Sequence, residues 1–206
     1  MKVTIKPKKA GTKKKPKNSS IELEINNANT KRTLSKLTIT APKTFTLSAK
    51  GLTKCSESVL ESGGPAACPK ASRVGGGTAS ALVGVTAPTQ TPLTFDVTAV
   101  VLGPKKIGFH LAGREIGINV LSPGTISGRK LTISVPPTAQ QPTPGVYAGL
   151  VSIHTTLQGK KGKHYLASTT GCKSKKHKFS TLLTFVNNGA DPGGTVTTTG
   201  SSACSK

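Results

Sequence analysis

The stretch that decides the fold is Thr169-Thr170-Gly171-Cys172-Lys173-Ser174-Lys175-Lys176-His177-Lys178-Phe179-Ser180-Thr181-Leu182-Leu183-Thr184-Phe185, near the carboxyl end of a chain of 206 residues. It joins a cysteine, a dense run of lysines and a strand-like segment from Phe179 to Phe185. Disulfides, positive charge and β-structure are therefore the three features to follow along the rest of the chain.

The apolar residues of the chain favour strands over helices. They are mostly Val, Ile, Leu and Ala interleaved with Thr and Ser, and aromatic residues make up only 3%. β-Branched side chains pack well on a pleated surface, whereas Gly or Pro interrupts most windows that are long enough for a helix. Short apolar segments between turn signals predict strands at 3–5, 21–25, 37–39, 45–47, 79–86, 93–102, 107–111, 116–121, 125–126, 131–135, 147–156, 163–168, 179–187 and 195–199. This pattern indicates an all-β protein with an antiparallel β-sandwich or jelly-roll-like fold.

The four cysteines, Cys55, Cys68, Cys172 and Cys204, allow three disulfide connectivities. None of their spacings matches a metal-ligand pair such as CxxC. We favour Cys55–Cys68 and Cys172–Cys204 because each pair closes a local loop, and in the chain-entropy model each bridge contributes about 3–4 kcal/mol. The presence of disulfides would indicate an oxidising compartment. The alternative to two disulfides is that all four cysteines are buried free thiols.

The chain divides into a basic start and a larger body. Residues 1–20 carry eight lysines and no acid, and they are predicted to be a basic N-terminal arm or edge strand. Residues 21–206 are predicted to form one disulfide-stapled β-sandwich domain, with a division into two subdomains near 103–115 as the alternative. Within this body, residues 51–77 are predicted to be a long cysteine-containing loop with one or two helical turns at 55–61.

Positive charge is the strongest functional signal in the sequence. The formal net charge is +22, and no acid occurs between Glu115 and Asp191. Such an excess attracts polyanions through counterion release and electrostatic steering, although a solvated surface is the simpler interpretation. The candidate anion-binding residues form two clusters at 160–163 and 173–178, namely Lys160, Lys161, Lys163, Lys173, Lys175, Lys176 and Lys178. If the strands that follow these clusters pair, the clusters share one end of the sandwich.

Localisation is inferred from the cysteines. Neither a secretory signal peptide nor a run of about 20 apolar residues is recognisable, so no transmembrane segment is predicted. Either the protein is intracellular, or the chain is a mature form or fragment of an exported protein. The cysteines and the Thr/Gly-rich strands favour the second interpretation, a secreted or cell-surface protein.

Several segments resemble a group of secreted actinobacterial β-rich proteins of unknown function. They are Leu52-Thr53-Lys54-Cys55, the Cys-Pro and Gly-rich run 67–79, the segment 126–137, and Thr170-Gly171-Cys172 followed by a basic turn and the late Cys204. The resemblance covers residues 34–206 and implies export, β-structure and two local disulfides. It implies no activity.

Residues for catalysis or metal binding are few. The chain has seven acidic residues. Glu22 and Glu24 share one face of a predicted strand, and that face is expected to be exposed to solvent. The side chain of Asp96 is also expected to face solvent. The histidines form neither HxH nor HExxH. The glycine run 73–78 could hold an anion with backbone N–H groups, but it lacks a P-loop ending, and a turn or bulge is the favoured interpretation. No catalytic residue, metal site or cofactor is therefore predicted.

These observations leave three hypotheses for function. The favoured one is a non-enzymatic extracellular or cell-surface structural or adhesion module. The alternative is a polyanion-binding protein that uses the two lysine clusters for nucleic acid, anionic glycan or wall polymer. A hydrolase acting on cell-wall glycan is the least favoured. The expected partners are anionic polymers or cell-envelope components, together with self-association through strand edges.

Overall fold

The computed structural model describes residues 1–206, and strands dominate it. The strands in chain order are β1 (Lys2–Lys6), β2 (Lys17–Asn18), β3 (Ser20–Asn26), β4 (Thr33–Thr40), β5 (Phe45–Leu47), β6 (Arg73–Val83), β7 (Thr91–Gly103), β8 (Lys106–Gly113), β9 (Asn119–Ser127), β10 (Lys130–Ser134), β11 (Ala148–Leu157), β12 (Lys160–Lys161), β13 (His164–Tyr165), β14 (Ala167–Thr169), β15 (Lys176–Val186) and β16 (Gly194–Ala203). Two helices, α1 (Glu57–Ala67) and α2 (Pro137–Gln140), interrupt them. The predicted all-β, antiparallel sandwich-like class is confirmed.

One large sheet makes up most of the protein. Eleven strands follow the order β1-β3-β11-β6-β7-β8-β9-β10-β4-β15-β16, and every neighbouring pair is antiparallel. The sheet curls until its two end strands meet, where the backbone N–H of Ile5 donates to the Ser202 hydroxyl over 2.9 Å. The N–H of Ala10 donates to the carbonyl of Ser205 over 2.9 Å. The sheet is therefore nearly closed around its own interior.

Alternation of apolar and polar residues explains which face turns inward. In β3, Ile21, Leu23 and Ile25 are buried while the residues between them lie on the outer face. This is the period of two that a half-buried strand requires. One core of 28 buried residues joins such inward positions from all around the sheet.

Two smaller sheets accompany the large sheet. Strands β2, β14 and β5 form a three-stranded antiparallel sheet, and β12 and β13 form a short hairpin of their own. Strand β2 belongs to the N-terminal arm, and β12 carries Lys160 and Lys161 of the first lysine cluster.

The segment 51–77 is more ordered than the predicted long loop. Helix α1 begins after Ser56, whose hydroxyl accepts from the N–H of Val59 over 3.3 Å. Leu60 on this helix is completely buried. The helix kinks at Gly64, and a single 3-10 turn then leads into β6 at Arg73. The loop therefore ends at Arg73, and the three glycines at 75–77 lie inside a strand.

Other boundaries also differ from the predicted ones. The predicted strand 116–121 begins only at Asn119, because Ile116 and Ile118 lie in the preceding turn and are 40% and 38% exposed. Strand β9 then continues to Ser127, so it absorbs the predicted strand 125–126. The proline-rich connector 136–145 contains α2. A division into two subdomains near residues 103–115 is the alternative that the sequence leaves open. This segment contains the turn and the second strand of the β7–β8 hairpin.

Candidate functional site

Both predicted disulfides are present and buried. Cys55–Cys68 joins the residue before the N-cap of α1 to the end of the same helix. Cys172–Cys204 joins the basic turn before β15 to the end of β16. No free cysteine remains. The two bridges are compatible with an oxidising compartment.

The N-terminal arm runs from the Cys172–Cys204 disulfide to the three-stranded sheet of β2, β14 and β5. Ala10 packs against Cys172 and Cys204 in one buried cluster. Farther along the arm, the N–H of Gly11 donates to the Thr169 hydroxyl over 3.1 Å. Strand β2 then pairs with β14. The predicted edge strand is β1, so residues 1–20 supply both an edge strand and a docked arm.

A tight turn in the arm presents its lysines to solvent. The N–H of Thr12 donates to the Lys15 carbonyl over 3.0 Å, and the N–H of Lys15 donates to the Thr12 hydroxyl over 3.1 Å. Lys13, Lys14 and Lys15 on this turn are all exposed. The turn is anchored at both ends, because Gly11 and β2 are hydrogen-bonded to β14.

The first lysine cluster lies beside this turn. Lys160, Lys161 and Lys163 are exposed on the β12–β13 hairpin. Between the hairpin and the arm runs an open groove of about 690 Å³, which we call the basic groove. Its lining consists of Lys14, Lys15, Pro16, Ser48, Lys50, Lys163, His164, Tyr165 and Ser168. No acidic residue lines the groove.

The second lysine cluster is held by the Cys172–Cys204 bridge. Lys173 and Lys175 lie on the turn before β15, and the N–H of Cys204 donates to the Lys175 carbonyl over 2.9 Å. Ser174 and Lys175 both adopt a φ of 55°, a left-handed conformation that is uncommon outside glycine. Along β15, Lys176 and Lys178 point outward and are exposed, while His177 between them is buried.

The two clusters are predicted to share one end of the sandwich if the strands that follow them pair, and these strands do not pair. After the first cluster, β13 pairs with β12 and β14 pairs with β2 and β5, whereas β15 pairs with β4 and β16. The arm makes the connection instead. The N–H of Ser205, beside the second cluster, donates to the Lys8 carbonyl over 3.0 Å, and Lys14 and Lys15 lie in the groove with Lys163. The two clusters and the arm form what we call the basic face.

Six of the seven acids are engaged with groups outside the two lysine clusters and the basic groove. Four ion pairs link acids to Lys2, Arg32, Lys106 and Arg114, and Glu22 meets His154. Glu115 accepts from the N–H of Thr94. None of the seven cluster lysines has an acidic partner within 4.0 Å. The positive potential of this face is therefore not cancelled by neighbouring side chains.

The residues considered for catalysis are placed where the sequence predicts. Glu22 and Glu24 lie on the outer face of β3, with side chains 38% and 39% exposed. Asp96 is 58% exposed and pairs with Arg114 over 2.6 Å, and that hydrogen bond lowers its pKa. No group of three or more His, Cys, Asp or Glu side chains comes together as a metal site would require.

Two histidines are buried in the structure. His177 is 1% exposed, and its ring meets the Phe45 ring edge-on at 5.3 Å. His110 is 8% exposed. Burial lowers the pKa of each below the ordinary value of a histidine, because desolvation disfavours the charged imidazolium.

The glycine run is structural. Gly75, Gly76 and Gly77 pair with β11 on one side and with β7 on the other, and a bulge separates Arg73 from Gly75. A Cβ at Gly75 or Gly77 would overlap the backbone carbonyl of Thr156 or His154. The close approach of β11 therefore requires glycine there, and these backbone groups form the sheet instead of an anion-binding loop.

Neither α1 nor α2 has the length and hydropathy that a membrane-spanning helix requires. Comparison with protein-family models, with curated proteins and with solved structures yields no match.

Sequence reasoning identified the two lysine clusters but missed how the groove is assembled. Lys14 and Lys15 come from the predicted basic arm, and Lys50 lies between the predicted strand 45–47 and the predicted loop 51–77. Their convergence with Lys163 depends on contacts across more than 100 residues. The only sequence signal was the local absence of acids around each segment.

Proposed function

We propose that this protein binds an anionic polymer along its basic face and acts as a non-enzymatic, extracellular or surface-associated adhesion module. The observation that carries the proposal is the convergence of Lys14, Lys15, Lys50 and Lys163 on one open groove without an acid. Three distant segments contribute these four cations. A folded protein tolerates such like charges at close quarters only at a cost that a bound polyanion removes.

The chemistry of the face favours charge recognition over base recognition. Its cations are lysines, which act as point charges, whereas arginine would add bidentate recognition of phosphate. Single-stranded nucleic-acid binders normally stack successive bases on aromatic rings. The groove offers only Tyr165 and His164. An anionic glycan or wall polymer with repeating phosphate, carboxylate or sulfate groups therefore fits better than nucleic acid.

The shape of the face suits a chain-like ligand. The groove is open, and the arm continues the row of cations from Lys14 and Lys15 back towards Lys8 and the second cluster. A flexible polymer can follow such a row and release several counterions at once. The two disulfides support an extracellular setting for this encounter.

Binding of a polymer panel by purified protein tests the proposal. We expect heparin and poly(glycerol phosphate) to bind more tightly than single-stranded DNA of equal charge. A neutral dextran should not bind. Preferential binding of DNA would replace this proposal with a nucleic-acid one, and failure of all three polyanions would refute it.

A matched pair of variants locates the binding site. Replacing Lys15, Lys50 and Lys163 by serine should weaken polymer binding at least tenfold. Replacing the exposed Lys31, Lys36 and Lys70, which lie outside the groove, removes the same charge and should have a much smaller effect. Equal losses in the two variants would mean that net charge alone attracts the polymer.

A further inference from the structure

The interior of the curled sheet is not filled. Two adjoining cavities of about 100 Å³ and about 130 Å³ lie inside it. Sixteen of the 18 residues that line the inner cavity are hydrophobic. Both cavities touch the same five side chains, Leu34, Ala79, Leu111, Val135 and Ile153. They therefore form one elongated apolar space.

Small side chains explain why this space exists. Strand β6 turns Gly77, Ala79 and Ala81 towards the interior, opposite Val97, Phe95 and Leu93 of β7. The chain has no tryptophan and few aromatic residues that could fill a sheet of eleven strands. Protein interiors are normally close-packed. An apolar space of this size is therefore a candidate binding site for an apolar molecule.

The inner cavity offers an occupant almost no polar surface. Thr155 lies on the inner face of β11, is 7% exposed and lines the inner cavity. Its hydroxyl oxygen, however, is buried and has no accessible surface for a ligand to contact. A polar group placed in the cavity would therefore lack a hydrogen-bond partner, which is unfavourable, so the cavity suits an aliphatic chain.

The outer cavity reaches the surface beside α2. Thr138 and Ala139 of this single helical turn line it, together with Pro142 and Ile118. Ile118 and its neighbour Ile116 are large apolar side chains that remain exposed. An apolar rim of this kind suits the entry of an apolar molecule.

We propose that the interior binds the chain of a medium-chain aliphatic molecule, whose neutral polar end remains at the mouth of the outer cavity beside α2. No cationic or anionic side chain lines either cavity, so a buried carboxylate would be left unpaired. An apolar cavity of about 150 Å³ accommodates benzene, which corresponds to about 25 Å³ per carbon. At that ratio the two cavities hold roughly nine carbons.

A series of straight-chain alcohols tests the length that the space accepts. By calorimetric titration we expect affinity to rise about fourfold for each added methylene. The rise should continue from butanol to about nonanol and level off for longer alcohols such as tetradecanol. Absence of binding, or an affinity that does not depend on chain length, would overturn the proposal. Heparin should not compete, because the cavity and the basic groove share no lining residue.

Two variants distinguish a binding site from loose packing. Ala79→Leu should fill the junction of the two cavities and abolish octanol binding while the circular dichroism spectrum is retained. Thr156→Val, on the outer face of β11, is the control and should leave octanol affinity unchanged. Undiminished octanol binding in Ala79→Leu, or an equal loss in Thr156→Val, would contradict the assignment.

Discussion

The backbone N–H of Gly11 donates a hydrogen bond to the Thr169 hydroxyl over 3.1 Å, across 158 positions of sequence. This bond fixes the N-terminal arm on β14, next to the hairpin of the first lysine cluster. The arm also meets the second cluster, through Ala10 against the Cys172–Cys204 bridge. The basic face thus depends on how the arm is docked, and the first prediction addresses that contact.

Gly11→Ala should release the arm without unfolding the body. A Cβ at Gly11 would lie 2.6 Å from the Thr169 carbonyl oxygen and 2.7 Å from that of Lys15, which is too close for either backbone to accept. We expect polymer affinity to fall several-fold while the thermal unfolding temperature changes little. Faster amide hydrogen exchange confined to residues 8–18 would verify the release. Unchanged exchange in this segment would contradict the role of the contact.

Removal of each disulfide should have a different functional effect. In the chain-entropy model, loss of Cys55–Cys68 costs about 3 kcal/mol and loss of Cys172–Cys204 about 3.7 kcal/mol. Only the second bridge contacts the arm and the basic turn. We therefore expect denaturant unfolding to reveal both losses, whereas polymer binding weakens only in Cys172→Ala/Cys204→Ala. Equal weakening in both double variants would show that binding follows overall stability.

Stability should decrease as the pH falls below about 6.5. Burial lowers the pKa of His110 and His177 in the folded protein. In the window between these lowered values and the ordinary value, the unfolded chain binds protons that the folded chain does not. The free energy of unfolding therefore rises with pH across this window. The contribution of the two buried neutral histidines to stability is lost as the pH falls through the window.

The variant His177→Phe should flatten this pH dependence, because it removes one of the two buried groups. His177 lies against Phe45, and Thr44 Oγ1 is 3.4 Å from its Nδ1. Urea unfolding at several pH values measures the slope, and His164→Phe at an exposed position is the matched control. An unaltered slope in His177→Phe would mean that other groups dominate the acid response.

Gly77→Ala should destabilise the sheet by about 1–3 kcal/mol or more, as overpacking in a rigid interior does. The added Cβ would overlap the His154 carbonyl of the neighbouring strand. Gly117→Ala is the control, since a Cβ there has no atom within 4 Å. Chemical denaturation compares the two variants. Equal stability would show that β11 can move away from β6 without loss.

Local patterns predicted much of the secondary structure. The alternation Ile21-Glu22-Leu23-Glu24-Ile25 predicted a strand, and β3 covers Ser20–Asn26. A period of two is a property of neighbouring residues, so it can be recognised without the rest of the fold. Helix α1 was harder to predict, because Gly63, Gly64 and Pro65 are residues that normally end helices.

Long-range relationships could not be predicted. The order of eleven strands, the docking of Gly11 on Thr169 and the meeting of Lys15 with Lys163 depend on pairings between distant segments. The interior cavities could not be predicted either, because residues of many distant strands line them.

The salt dependence of polymer binding tests the central claim most directly. The logarithm of the association constant should fall linearly with the logarithm of the salt concentration, with a slope set by the number of cations engaged. Each contact contributes about 0.7 to 0.9 to this slope. Replacement of Lys15, Lys50 and Lys163 by serine should therefore reduce its magnitude by about 2, while replacement of Lys31, Lys36 and Lys70 should leave it nearly unchanged. The same slope for wild type and both variants would contradict the assignment of the basic groove as the polymer-binding site.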